Sequence, residues 1–216
     1  MDKKKLIGMI VGVLMFAALI AGATFAWLTF TATFTNNVVT GTSRDFTFTY
    51  TQGTAVSDMV WTTASPARNI ITSGKGYITV TATKAAKTPE ASNFKIILQK
   101  DTMDIKVANL IKYAVCRSTT AADCNNSATD AIPTSASGNW VAVGSVSTST
   151  GPQTLYDDTA TFNVYSETAS VTGDYYIYLW LDSSALTNSN MANAQDKQIA
   201  GYIYAEAVQG ESGTVQ

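Results

Sequence analysis

Two cysteines, Cys116 and Cys124, are the residues of this chain whose type and spacing bear most directly on chemistry. A redox pair favours two intervening residues, whereas residues 117–123 lie between these two, and a zinc site needs further ligands. An export segment is described below, and two cysteines in an exported chain most simply bond to each other. We therefore expect a structural disulfide that rigidifies a protruding loop. Free thiols and a link between chains are the alternatives.

Catalytic side chains are scarce in this sequence. The chain contains no His, which removes the commonest general base and the commonest metal ligand together. Neither a Ser-His-Asp triad nor a His-based zinc motif can therefore form. The adjacent pair Asp157 and Asp158 lacks the spaced ligands of a calcium loop, and we interpret it as a turn between strands. We expect no enzyme activity, no cofactor and no metal site.

The charge balance argues against a nucleic-acid partner. The chain has 14 Lys and Arg against 16 Asp and Glu, so no general positive field attracts nucleic acid. Charged residues make up 14% of the chain, compared with about 25% in a typical globular protein. Thr, Ser, Ala and Asn take their place, which is typical of β-rich surface proteins whose exposed strands carry hydroxyl groups.

The N-terminus has the composition of an export or anchor segment. Three lysines precede an uncharged, mostly apolar run over residues 6–28, which as a helix would span a bilayer core of roughly 30 Å. Ala21 and Ala23 flank a glycine and offer a small-residue cleavage site. We predict that residues 1–27 form one hydrophobic helix, which is either a cleaved signal peptide or a retained membrane anchor. The lysines would stay on the cytoplasmic side in both cases.

The rest of the chain alternates apolar and polar residues with the period of a β-strand. Phe46, Phe48 and Tyr50 alternate with threonines, which is the pattern of a half-buried strand. Turn-rich stretches such as 149–152 separate similar segments. We expect residues 28–216 to form a single all-β domain, an antiparallel jelly-roll-like β-sandwich, with at most a helical turn or long loop at 188–197. The further predicted strands cover residues 77–83, 94–99, 111–116, 140–146, 160–165, 175–181 and 199–207.

The predicted strand 175–181 is apolar on both faces. Its even-numbered residues Tyr176, Tyr178 and Trp180 share one face, and its odd-numbered apolar residues share the other. A strand of this kind is usually a central strand that is covered on both sides. An exposed aromatic strip that contacts carbohydrate or a neighbouring subunit is the alternative.

Several motifs follow one another in the first fifty residues. A lysine-rich start and a hydrophobic run lead to GATFAW at residues 22–27, the step VTGTS at residues 39–43 and a first strand at residues 45–50. In this order they resemble the TasA/camelysin family of secreted surface and biofilm-matrix fibre proteins. The resemblance implies a SipW-type signal peptide processed near Ala26 or Trp27, a jelly-roll fold and a role in surface filaments or biofilm matrix. The metalloprotease activity described for camelysin does not carry over, because the chain has no His.

The segment after the hydrophobic run alternates strictly. Leu28, Phe30, Ala32 and Phe34 share one face, and threonines share the other. After processing, this segment would lie at a free N-terminus, joined to the domain by the flexible-looking residues 36–43. We predict that it acts as a donor strand that fills a groove in a neighbouring subunit. Pairing within its own domain as an ordinary first strand is the alternative.

These features favour a non-enzymatic structural protein of the cell surface or extracellular matrix, secreted or membrane-tethered, from a Gram-positive-type bacterium. Its expected partners are copies of itself or other surface and matrix proteins, with membrane contact only through the N-terminal segment. The second candidate is a surface adhesin, or a module that binds carbohydrate or protein and displays the loop between the cysteines. The third is a pilin-type subunit with a retained N-terminal helix, although the chain lacks the Glu that bacterial pilins normally carry there.

Overall fold

The computed structural model describes residues 31–34, 39–43, 46–52, 59–73, 76–86, 92–118, 124, 129–157 and 171–209. In these ranges the chain forms β-strands in two sheets and a single short α-helix, so the all-β prediction is confirmed. Residues 1–27, with their predicted hydrophobic helix, and the predicted strand 160–165 lie outside the described residues. Among the helices that the structure describes, none is long and apolar enough to cross a membrane.

Eleven strands and one α-helix make up the described part of the chain. In chain order they are β1 (Thr31–Phe34), β2 (Val39–Ser43), β3 (Phe46–Gln52), β4 (Trp61–Thr62), α1 (Arg68–Ser73), β5 (Tyr77–Ala86), β6 (Ser92–Met103), β7 (Ile111–Ser118), β8 (Trp140–Ser145), β9 (Gly151–Asp157), β10 (Val171–Asp182) and β11 (Gln198–Gln209).

The smaller sheet has four strands in the order β1-β11-β6-β9. Strands β6 and β11 pair antiparallel along their whole length, with a bulge between Ala200 and Gly201. Only glycine fits at position 201, because a Cβ there would collide with the main-chain carbonyl oxygen of Gln99. Strand β1 lies at one edge and pairs in parallel with the first four residues of β11, and β9 lies at the other edge.

The larger sheet has the order β2-β3-β5-β10-β7-β8, and the short β4 pairs in parallel with the end of β10. Its strand β10 lies between β5 and β7 and is antiparallel to both. Odd-numbered residues of β10 point into the space between the sheets, and even-numbered residues point outward. Both sets include fully buried side chains, so the prediction of a central strand covered on both faces is confirmed.

The main core lies between the inner faces of the two sheets. Phe94 and Ile96 of β6 are fully buried together with Ile78 of β5 and Ile177 of β10. The ring of Phe94 also lies 5.0 Å from the ring of Tyr175, which belongs to the opposite sheet. Burial of such side chains is the main favourable term in folding, so this contact holds the two sheets face to face.

A second, smaller core covers the outer face of β7 and β10. Two segments, residues 63–73 and 129–139, lie over this face and are here called the cover. They contribute Ile71 from α1 and Ile132 from the connection between β7 and β8. The buried members of this core are Ile71, Ala114, Cys116, Cys124, Ile132, Tyr178 and Trp180.

The helix α1 contradicts the expectation that the domain contains no convincing helix. Its Ile71 is fully buried, whereas the adjacent Ile70 is 42% exposed, so the helix buries one narrow apolar face. A helix of less than two turns does not repeat the 3.6-residue apolar period often enough to be recognised in a sequence. At its end, the hydroxyls of Thr72 and Ser73 donate hydrogen bonds to carbonyl oxygens one turn back.

Two segments that were expected to be irregular are strands. Residues 39–43, within the stretch expected to be flexible, form β2 and pair antiparallel with β3. The predicted turn at 149–152 contains the start of β9. Gly151 begins this strand with a φ of 93°, a conformation that glycine adopts without steric cost. Pro152 is tolerated because β9 is an edge strand.

Two further expectations concern the segment 188–197 and the direction of strand pairing. The segment 188–197, for which a helical turn or a long loop is expected, contains a 3-10 turn at Met191–Asn193. The sheets are not purely antiparallel, because the pairs β1–β11 and β4–β10 run in parallel. Both parallel pairings are short and join strands that are distant in the sequence, a relation that local patterns do not reveal.

Candidate functional site

Five aromatic side chains, here called the aromatic face, lie on the outer side of the larger sheet. The ring of Tyr178 lies 5.4 Å from that of Tyr77 and 5.4 Å from that of Trp140. Tyr77 and Tyr176 have nearly parallel rings, 4° apart, with centroids separated by 6.3 Å. Trp180 and Tyr178 are fully buried, and the other three rings are half-buried. The face therefore changes along its length from packed core to accessible surface.

The two cysteines belong to the same core as Tyr178 and Trp180 of this face. The structure pairs Cys116, in β7, with Cys124 in a disulfide whose Cα atoms are 5.9 Å apart, in agreement with the sequence prediction. Both residues are fully buried in the second core. The phenol of Tyr178 donates a hydrogen bond to the carbonyl oxygen of Cys124 at 3.1 Å. The disulfide thus fixes the start of the β7–β8 connection onto the sheet, which is more than the stiffening of a protruding loop.

The environment of Tyr178 keeps its phenol protonated. Burial raises the pKa of Tyr178, and the neighbouring Tyr77 and Tyr176 raise the pKa further, while Arg68 acts in the opposite direction. A neutral phenol can donate its proton to a carbonyl oxygen, whereas a phenolate cannot. The hydrogen bond to Cys124 is therefore maintained at neutral pH.

An ion pair fastens the two segments of the cover to each other. The guanidinium of Arg68, in α1, lies 3.3 Å from the carboxylate of Asp130, and its centre lies 5.7 Å from the ring of Trp140. The main chain joins the same segments, because Arg68 N–H donates to Asp130 and Ile132 N–H donates to Pro66 at 2.8 Å. Asp130 is 84% exposed, so solvent weakens the ion pair, and the main-chain bonds are the firmer connection.

A cavity of about 200 Å³ opens beside the cover, over the end of β10. Lys112 is one of its lining residues, and its ammonium donates a hydrogen bond to the hydroxyl of Ser145 at 3.0 Å. Lys112 takes part in neither of the ion pairs Arg68–Asp130 and Lys95–Asp157, which join described residues. The lining includes Ala64, Lys112, Thr134, Val143, Ser145 and Trp180.

A second lysine, Lys100, is buried at the end of the main core and is only 1% exposed. Its ammonium donates hydrogen bonds to the hydroxyl of Ser147 at 2.6 Å and to the side-chain oxygen of Gln153 at 3.0 Å. The Gln153 amide group is itself held by Ser147 N–H and by the carbonyl oxygen of Ser145. Burial lowers the pKa of Lys100. The sequence prediction missed this residue, because its predicted strand ended at position 99.

The predicted donor segment is described only in part. Ala32 and Phe34 lie in β1, in register with Ile199 and Gly201 of β11, whereas Leu28 and Phe30 lie outside the described residues. The predicted processing residues also lie outside them; these are Ala21, Ala23, Ala26 and Trp27. In this structure β1 pairs within its own chain, as the alternative interpretation expects, and exchange between chains remains a prediction.

Metal-ligating groups do not converge in the described ranges. No group of three or more Cys, Asp or Glu side chains in these ranges is placed to hold a metal ion. Of the acidic pair suggested as a turn, Asp157 ends β9, and its carboxylate lies 3.7 Å from the ammonium of Lys95 on the paired strand β6. Asp158 lies outside the described residues.

Comparison of this chain with protein-family models, curated proteins and solved structures finds no match. The resemblance to the TasA/camelysin family therefore stays a prediction from motifs in the first fifty residues.

Proposed function

We propose that this chain is a non-enzymatic, exported structural protein of the cell surface or extracellular matrix, which assembles with copies of itself. In this proposal residues 1–27 direct export as a hydrophobic helix, and the two-sheet domain is jelly-roll-like. The segment 28–35 then joins subunits by donor-strand exchange. The resemblance to TasA/camelysin proteins supports the class of protein, and the position of β1 supports the mode of assembly.

The position of β1 at the edge of the smaller sheet is the observation that carries the proposal. β1 is four residues long and pairs with Gln198–Gly201 at the start of β11, the last strand described. An edge strand has one strand neighbour, so it can leave without breaking the pairing of any other strand. An identical strand from a second subunit would then restore the same hydrogen bonds.

The energetics also permit exchange. Burial of the two Phe, one Leu and one Ala on the apolar face of segment 28–35 would contribute roughly 5–8 kcal/mol at about 25 cal/mol per Å². The same burial is available within the chain and between chains, so the two arrangements differ little in contact energy. In head-to-tail exchange each subunit gives its strand to the next one, which is a heterologous contact, and such a contact generates an open filament when the rotation between subunits does not close.

Deletion of residues 28–35 tests the proposal. The expected result is a domain that stays folded, judged by circular dichroism, and that no longer forms filaments in electron microscopy or pelleting assays. A matched pair of variants refines the test. Phe30→Asp with Phe34→Asp should abolish filaments, whereas Thr31→Asp with Thr33→Asp, on the other face, should preserve them. Filaments formed by the folded deletion variant would reject donor-strand exchange.

A surface module that binds a ligand is the second candidate function. The half-buried rings of Tyr77 and Tyr176 favour it, because parallel aromatic rings at a sheet surface can contact sugar rings or a protein partner. Tyr77→Ala and Tyr176→Ala should then reduce adhesion of the protein to cell-wall or matrix polysaccharide without changing filament formation. Unchanged adhesion in both variants would reject this second function for the aromatic face.

A further inference from the structure

The cavity beside Lys112 has the features of a ligand site. The proposed assembly through β1 does not use this cavity, and neither does the proposed ligand contact of Tyr77 and Tyr176. Lys112 of β7 is in register with Trp180 of β10, so the cavity lies where the second core ends. The buried Trp180 lines it together with Lys112 and Ser145, and the Lys112 ammonium donates a hydrogen bond to the Ser145 hydroxyl at 3.0 Å. Thr134 and Ala64 of the cover also belong to the lining.

The charge of Lys112 gives this cavity a preference for anions. An ammonium has three N–H donors, and the described part of the chain supplies Ser145 as an acceptor but no carboxylate for an ion pair. None of the described residues that line the cavity is acidic. A half-buried cation without a paired anion attracts a carboxylate or phosphate more strongly than an exposed lysine does, because solvent screens it less.

Size and lining narrow the class of ligand further. The volume of about 200 Å³ is below the roughly 300 Å³ at which sites for drug-sized molecules begin. The lining includes Ser145 and Thr134, which carry hydroxyl groups, and the apolar Ala64 and Val143. Such a mixture suits a molecule of the size of one sugar ring, which presents hydroxyl groups at its rim and C–H groups on its faces.

We propose that this cavity binds a sugar-sized carboxylate, such as a uronic acid residue of an acidic polysaccharide, with the carboxylate on Lys112. The Ser145 hydroxyl orients the ammonium, and the Thr134 hydroxyl contacts the sugar hydroxyls. Binding at this cavity is independent of assembly through β1, so the loss of one function leaves the other unchanged.

Titration of the full chain with galacturonate, followed by amide NMR shifts, tests this proposal. We expect saturable shifts at Val143 and Ser145, with a dissociation constant on the order of 1 mM for a single charge pair and a few hydrogen bonds. The neutral counterpart galactose should cause no comparable shift. Raising the salt concentration should weaken binding of galacturonate.

Substitutions distinguish binding in this cavity from non-specific attraction of an anion to positively charged side chains. Lys112→Met should weaken galacturonate binding by about tenfold or more, whereas Lys106→Met, which removes an exposed lysine elsewhere, should leave it unchanged. Ala64→Leu, which fills the cavity and keeps the charge, should also weaken binding. Thermal unfolding of each variant checks that it is folded. Unchanged galacturonate binding in folded Lys112→Met, or equal shifts with inorganic phosphate and galacturonate at equal concentration, would overturn the proposal.

Discussion

Tyr178 is the residue through which the aromatic face and the disulfide contact each other. Its ring touches Tyr77 and Trp140, and its phenol donates to the carbonyl oxygen of Cys124. A buried carbonyl that loses its donor costs free energy, because no water replaces the bond. Tyr178 therefore couples ring packing to the position of the β7–β8 connection.

Replacing Tyr178 with Phe should lower the free energy of unfolding at pH 7 by about 1–2 kcal/mol, because Cys124 loses its hydrogen bond. The pKa of Tyr178 is raised in the folded chain, chiefly by burial. Its contribution is therefore fully present below the unfolded pKa of about 10 and is lost as the pH rises above it. Urea unfolding should consequently show a smaller difference between wild type and variant at pH 11 than at pH 9.

Ile71→Val, in the same second core, is the control for this pH dependence. It removes no titratable group, so its loss of unfolding free energy should stay constant from pH 9 to pH 11. If the loss of unfolding free energy in Tyr178→Phe stays constant from pH 9 to pH 11, this result would contradict the raised pKa of Tyr178.

Replacing Lys100 with Met should leave the free energy of unfolding at pH 7 unchanged or raise it by up to about 2 kcal/mol, because exchanging a buried charge for an apolar side chain is often neutral or stabilising. Burial lowers the pKa of Lys100 in the folded chain. The cost of its charge is thus fully present below that pKa and is relieved as the pH rises towards 10.5. Any excess in the free energy of unfolding of Lys100→Met over that of the wild type should therefore decrease at alkaline pH, as measured by urea unfolding.

Lys106→Met is the matched control, since Lys106 is exposed and surface substitutions usually change stability by less than about 0.5 kcal/mol. A loss of more than about 2 kcal/mol in Lys100→Met would show that the bonds to Ser147 and Gln153 outweigh the cost of burying the charge.

At the scale of the elements, the disulfide joins strand β7 to the connection that follows it. Replacing both cysteines with Ala should lower the free energy of unfolding by about 2–3 kcal/mol, the loop entropy expected for so short a loop, without unfolding the domain. Urea unfolding with and without reductant checks this. Reductant should destabilise the wild type by a similar amount and leave the variant unchanged. Thiol labelling of both cysteines in native, unreduced protein would contradict the disulfide.

Strands with a clear two-residue period were predictable from the sequence. β10 is the clearest case, because Tyr178 and Trp180 alternate with residues of the main core, and a strand that is apolar on both faces has to be central. The pairing of Cys116 with Cys124 was also predictable, because a predicted export segment together with two cysteines leaves few alternatives. In both cases a local pattern carries the information.

The remaining features depend on contacts between distant parts of the chain. Helix α1 is stabilised by packing Ile71 onto the outer face of the larger sheet, and its own sequence is too short to indicate a helix. Lys100 is buried because Ser147 and Gln153 meet it from the β8–β9 connection and from β9. The cavity at Lys112 forms only when the cover folds over β7 and β8. No local pattern contains these tertiary relations.

At the scale of the whole molecule, the first described strand closes one edge of the smaller sheet. β1 and β11 are in parallel register, and Thr33 lies opposite Ala200. If segment 28–35 exchanges between subunits, these two positions still meet, but they belong to different chains. A crosslink at this pair therefore reports which chain supplies the strand.

The variant Thr33→Cys with Ala200→Cys should form a disulfide within one chain when the protein is monomeric, and between chains when it is assembled. Neighbouring strands lie about 4.8 Å apart, which is within the range of Cα separations that a disulfide bridges. Filaments oxidised before denaturation should thus give a ladder of covalent oligomers on non-reducing gels. Thr33→Cys with Glu206→Cys is the mismatched control, because these positions are six residues out of register along β11 and should give no ladder. Oxidised filaments that contain only single chains, with no free thiol at position 33, would show that β1 stays in its own domain, so another surface would have to hold the subunits together.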